Sequence, residues 1–193
     1  MRHRTAAGRA LPVLVAVFAS LALGPNCAAD QSDPKLDSLF VQLREAAGPA
    51  AAKRAEREIW SIWHKTPDDK SLEIMREART ALDANDLDAA IKFLDQLVEY
   101  APDFAEAWNQ RAIALFLAED YEAALRDIAR TLALEPRHFG ALSGRGQIYL
   151  RLEDPERALQ AFESALELNP WLANIRSQME MTRAYLNARQ KPI

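Results

Sequence analysis

The sequence has a single cysteine, Cys27, among 193 residues. No disulfide can form within the chain, so packing alone must hold the fold. Histidine is nearly as scarce, with His3, His64 and His138. Neither of the last two has a Cys, Asp or Glu at metal-ligand spacing, and no metal or cofactor is expected. Positive charge is not in excess: 24 Lys and Arg face 28 Asp and Glu, for a net −4. That balance excludes the basic face a nucleic acid or an anionic membrane would select. Alternating apolar residues are sustained nowhere, which removes strands from the expectation. The one local glycine cluster, Gly140 to Gly146, follows no strand and so forms no phosphate loop. The carboxylates are spread over polar helix faces rather than paired, so acid-base catalysis is not expected and the chain reads as a non-enzyme.

Long apolar runs are missing too. The longest, Ala10 to Leu23, has 14 residues with Pro12 inside it, whereas a spanning helix needs about 20. No membrane span is therefore expected in the mature chain. Before the run stand Arg2, Arg4 and Arg9, and after it the small residues of GPNCAA lead to Asp30. This order predicts a secretory signal peptide over 1–29, cleaved after Ala29, and hence export, most simply to a bacterial periplasm. The alternative is an envelope component kept at the membrane by an uncleaved leader or a lipid on Cys27, although Gly-Pro-Asn is a poor lipoprotein context. Removal of the leader takes the net charge from −4 to −7, because three arginines leave with it.

What the chain does have is a period. VEYAP, LALEP and LELNP end in Pro102, Pro136 and Pro170, spaced by 34 residues. Twelve residues before each proline stands Ala90, Ala124 or Ala158; four after the alanine comes Leu94, Ile128 or Phe162; sixteen before the proline is Asp86, Asp120 or Asp154. Each column has a physical reason. The aspartate caps a helix N-terminus, and Pro155 after Asp154 suits a first helical position. The alanine lets two helices approach, and the proline cannot continue a helix. Each segment reads as helix, turn, helix, with first and second helices of the middle segment at Glu106–Leu117 and Tyr121–Leu134.

This pattern resembles the tetratricopeptide repeat, whose signature is W-x2-L-G-x2-Y, A-x3-F and P on a 34-residue period. The second unit supplies Trp108, Ala124 and Pro136, and the third Gly146, Tyr149, Ala158, Phe162 and Pro170. The units run 71–104, 105–138 and 139–172. The resemblance implies an all-α, right-handed solenoid of stacked helix-turn-helix repeats. At the leucine position the units carry Glu77, Arg111 and Arg145, expected to form a salt-linked column or a charged rim. Residues 30–70 are expected to be an N-terminal helix pair, a degenerate unit with Leu36, Leu39, Phe40 and Leu43 on its first helix and Ala55, Ile59, Ile62 and Trp63 on its second. Trp171 to Arg189 is expected to be a capping helix, within a final segment 173–193 whose tail, Lys191 to Ile193, frays.

The resemblance further implies a concave groove lined by first helices. Its fifth, ninth and twelfth positions fall on Met75, Arg79 and Leu82, on Asn109, Ile113 and Phe116, and on Ser143, Gln147 and Leu150. These nine residues are the expected partner-binding wall, suited to a protein partner's peptide or helix with apolar anchors. One use of the family is a clamp for the C-terminal carboxylate of a chaperone. At the matching places stand Met75, Arg79, Gln110, Gly140 and Gly144, so that clamp is absent. The expected role is a scaffold or assembly module of the envelope.

Overall fold

The computed structural model describes residues 30–189. The expected leader 1–29 with Cys27, and the fraying tail, fall outside the described residues. Within them a 3-10 turn, Asp30–Ser32, precedes helices α1 Lys35–Arg44, α2 Pro49–Trp63, α3 Asp69–Asp83, α4 Leu87–Tyr100, α5 Ala105–Leu117, α6 Tyr121–Leu134, α7 Phe139–Arg151, α8 Pro155–Leu168 and α9 Ala173–Arg189. No strand occurs among the described residues. From α3 onward each helix packs on the next in chain order, ending with α9 on α8. The protein is an all-α solenoid of helical hairpins.

One turn device is used three times. Asn85, Glu119 and Glu153 have φ of 57°, 63° and 57°. Each closes a Schellman motif: in the middle hairpin Asp120 N–H donates to Leu115 O at 2.9 Å and Glu119 N–H to Phe116 O at 3.1 Å. The next residue, Asp86, Asp120 or Asp154, accepts from the N–H of Ala89, Ala123 or Arg157 at 3.0, 3.0 and 2.9 Å. The same aspartate therefore ends one helix and caps the next, leaving no slack between them.

Across each hairpin the seam is narrow. Ala90, Ala124 and Ala158 are fully buried, and Leu94, Ile128 and Phe162 fill the space four residues on. The first helices meet them with Ala78 and Ala112, and in the third hairpin with Gly146, where an added Cβ would strike the Phe162 ring. A bulkier residue on one helix is thus matched by a missing methyl on the other. At the far end α9 buries Ile175, Met179 and Thr182 against the stack and exposes Met181 and Tyr185.

Two expectations need correction. The α1–α2 pair exists and buries Leu36, Leu39, Phe40, Leu43, Ala52, Ala55, Ile59 and Trp63, but it does not extend the stack. Its apolar cluster takes in Phe139, Leu168, Trp171 and Leu172 instead of residues of α3 or α4. The pair lies along the edge formed by the turns between hairpins. The reason is that Ala55 and Ile59 describe only the seam inside a helix pair, which says nothing about where its outer face docks. The second correction concerns charge. Arg111 does not join Glu77 and Arg145 in a column; its guanidinium bonds Asp127 at 2.7 and 2.8 Å and Asp95 at 2.8 Å, on the second helices α6 and α4. Asp127 is buried, so the bidentate pair satisfies a charge that would otherwise be stranded.

Candidate functional site

The first helices α5 and α7 stand side by side with a gap between them. Asn109, Ala112, Ile113, Phe116 and Leu117 of α5 form one wall, Gly140, Ala141, Gly144, Gln147 and Ile148 of α7 the other, and Ile128 of α6 also lines it. The pocket has a volume of about 230 Å³. Its depth comes from the sequence: Gly144 leaves α7 without a side chain there, and a Cβ added to it would meet only Ile128 Cδ1 at 3.7 Å. Phe116 and Gln147 also border a second depression, completed by Leu150, Arg151 and by Gln178 of α9.

Of the nine expected wall residues, the fold gathers Asn109, Ile113, Phe116 and Gln147 in one pocket and places Leu150 in the next. It does not gather the rest. Met75 and Leu82 are half-buried against the cluster of Ala78, Leu94, Leu97 and Val98, so they brace the first hairpin, while Arg79 is exposed outside both pockets. Ser143 is buried and its hydroxyl donates to Phe139 O at 2.7 Å, which leaves it no free donor. Asn109 is only 4 % exposed, its amide committed to Glu106 Oε2 at 3.1 Å.

The α1–α2 pair covers the N-terminal ends of α5 and α7. Trp60 lies where a side chain on Gly140 would go. Trp63 stacks on His138, with ring centroids 4.3 Å apart and planes 13° apart, and its indole N–H donates to Glu135 Oε2 at 3.3 Å. Arg137 reaches from the turn to Asp37 Oδ1 at 2.6 Å, and Trp171 Nε1 donates to Leu43 O at 2.9 Å. Gln31 bonds the turn at Asp103 and Ala105. Each of the three turns after the solenoid's hairpins is therefore held.

At the centre is Glu106, 1 % exposed. Its Oε2 accepts from His138 Nε2 and Asn109 Nδ2, both at 3.1 Å, and its Oε1 lies 3.2 Å from His64 Nε2 and accepts from Gln110. Burial alone would push this carboxyl up, but the hydrogen bonds from His138 and then His64 outweigh it and lower the pKa from 4.5 to about 2. His138 also caps α7: its Nδ1 accepts from Ala141 N–H at 3.0 Å. With Nδ1 accepting that bond, Nε2 is the ring nitrogen that faces Glu106.

Sequence spacing gives no sign of this cluster, because Glu106 lies far from His64 and His138 in the chain and folding brings the three together. A metal in its place would need Nε2 unprotonated while Nδ1 accepts, leaving the imidazole without either proton. Among the described residues no group of three His, Cys, Asp or Glu is placed to hold a metal ion. The arrangement is a latch. Its sequence signal was the trio Trp60, Trp63 and His64 at helical spacing on α2.

Comparisons with known proteins agree with this architecture. Two tetratricopeptide repeat family models match residues 75–130 and 117–187. The chain is similar to a TPR repeat-containing protein of Rhizobium etli, 35 % identical over 152 residues that cover 78 % of this chain and 74 % of that one. It is 34 % identical over 95 residues to anaphase-promoting complex subunit 7 of Dictyostelium discoideum, covering 49 % of this chain and 16 % of that one. Among solved structures, the first TPR of Spaghetti (RPAP3) bound to an HSP90 peptide superposes with a TM-score of 0.59 at 23 % identity, over 61 % of this chain and 94 % of that one. MamA gives a TM-score of 0.59 at 20 % identity, over 72 % and 80 %.

Proposed function

The chain belongs to the tetratricopeptide repeat family, and on that premise we propose that it is a non-enzymatic holder of a partner protein, taking a peptide or helix into the groove of α5, α7 and α9. One observation carries this reading: the pocket between α5 and α7 is lined by apolar side chains that the solenoid itself does not cover, with Ile113 42 % and Leu117 51 % exposed. Exposed apolar surface gathered in a concavity marks a docking site more often than scattered residues do. That a similar fold binds an HSP90 peptide supports the mode of use. The open part of the groove is narrower than its nine expected residues, because Asn109 and Ser143 are buried. A scaffold or assembly role follows from such a groove.

Phe116→Glu tests it. The variant is expected to melt below the parent, because Phe116 is half-buried against Ala112, Ala124 and Ile128, yet to stay folded at room temperature while losing capture of its partner in crosslinking. Equal loss of fold and capture would show that Phe116 serves the core and not a partner.

Export to a periplasm is part of the same proposal, supported by the arginine-led apolar run before Asp30. Mass spectrometry of the mature protein decides it. An N-terminus at Asp30 agrees, and a diacylated Cys27 assigns the chain to the membrane surface instead.

A further inference from the structure

Resting on the groove reading above, we infer that the groove selects a segment of another protein carrying one aromatic side chain and, three or four residues away, a carboxylate. The anchor follows from shape. A cavity of about 150 Å³ takes up benzene, and the pocket over Gly144 offers about 230 Å³ with apolar walls. It has room for one large ring. Nothing on α7 competes for that space, since a Cβ on Gly144 would meet only Ile128 Cδ1 at 3.7 Å.

The carboxylate follows from charge. The chain carries 28 acidic residues, yet neither the pocket nor the adjoining depression has an Asp or Glu in its lining. The depression does have Arg151, exposed and without an ion pair or hydrogen bond among the described residues. Arg111, on the neighbouring α5, is by contrast committed to Asp95 and Asp127. Arg151 lies seven residues beyond Gly144, roughly 10 Å along α7. That distance is about three residues of extended chain, or a turn of helix plus the reach of the guanidinium. Gln147 and Gln178 line the same depression, and their amides can bond a peptide backbone.

The probes are short peptides blocked at both ends, with a central tryptophan flanked on both sides at the third and fourth positions by glutamate, lysine or serine. A fourth peptide keeps the glutamates and has alanine at the centre. Amide NMR shifts of the isotope-labelled protein report binding. The tryptophan-glutamate peptide is expected to move the Ile113 and Gly144 signals and to bind about fivefold more tightly than the lysine peptide at low salt. That preference should shrink at high salt and fall to within about twofold in Arg151→Gln. Gly144→Leu, which fills the pocket, should abolish binding, and Gly144→Ala should weaken it if the larger residue unfolds the chain.

Equal binding of the glutamate and lysine peptides at low salt overturns the acidic preference and leaves the groove reading intact. Equal binding of the alanine-centred peptide overturns the aromatic anchor. If no tryptophan peptide moves Gly144 and Phe116→Glu also leaves partner capture intact, both readings fall. Self-association of the chain that Gly144→Leu removes assigns the groove to a second copy and overturns the inference.

Discussion

The ring of Phe162 occupies the space into which a side chain at Gly146 would grow. In the other two hairpins the same places hold Ala78 with Leu94 and Ala112 with Ile128. The pairs conserve volume across the seam, and the third unit reaches the balance by a different split.

A methyl group at Gly146 is therefore expected to overpack. Gly146→Ala should lose about 1–3 kcal/mol to the clash and regain about 1 kcal/mol from helix propensity, for a net loss. In the background of Phe162→Leu the same change should be neutral or stabilising. Denaturant midpoints of the four proteins measure the coupling, and additive effects would contradict the seam as described.

Ala124→Leu should also overpack, at about 1–3 kcal/mol, since Ala124 is fully buried where α5 and α6 meet. An unchanged melting temperature would contradict that placement.

Glu119 has φ of 63°, a conformation in which a Cβ is strained by roughly 1–2 kcal/mol. Glycine removes the strain but adds freedom to the unfolded chain. Glu119→Gly should therefore gain about 0.5 kcal/mol in denaturant unfolding, and Glu153→Gly about the same. Asn85 already suits the left-handed region, so Asn85→Gly should change little.

The buried Glu106 sets an acid limb. Its folded pKa, about 2, lies below the ordinary 4.5. The stability it contributes is present above about pH 4.5 and disappears as pH falls toward 2, because protonation removes the acceptor of His138 and His64. Unfolding free energy measured from pH 6 to pH 2 should show a decline of a few kcal/mol that Glu106→Gln flattens. A parallel profile in the variant would place the acid sensitivity elsewhere.

Arg111 gives the contrast between buried and exposed partners. Arg111→Met should cost about 3 kcal/mol, because it strands the buried Asp127, whereas Asp95→Ala should cost under about 1 kcal/mol, since Asp95 is mostly exposed. Urea titrations of both separate them.

How much of this was legible beforehand depends on whether the information is local. The caps at Asp86, Asp120 and Asp154, the alanine seam and the stop at each proline are decided within a few residues, and the period displays them. Leu36, Leu39, Phe40 and Leu43 were equally readable, because a helical stripe is a local pattern. The docking of α1–α2 was not, since it depends on Trp63 meeting Glu135 and His64 meeting Glu106, contacts between segments with no shared pattern. Counting along the repeat likewise does not show which wall positions are buried. Asn109 and Ser143 occupy groove positions by count, yet they are buried, Asn109 bonded to Glu106 and Ser143 to its own helix. The pairing of Arg111 with Asp127 and Asp95 is not legible in the period, because it links first to second helices, not one unit's equivalent position to the next.

Units stacked in a row flex as a spring does, because each touches only its neighbours. Here a helix pair and the 3-10 turn before it are fastened at three successive points, by Gln31 to Asp103, by Trp63 to Glu135 and by Leu43 to Trp171. It works as a splint along one side of the coil. Bending or straightening the coil would have to lengthen or shorten all three attachments together, so its curvature is set before any guest arrives. A guest in the proposed groove would then meet a trough already shaped, and the entropy that a looser coil would lose on closing around it would have been given up in folding.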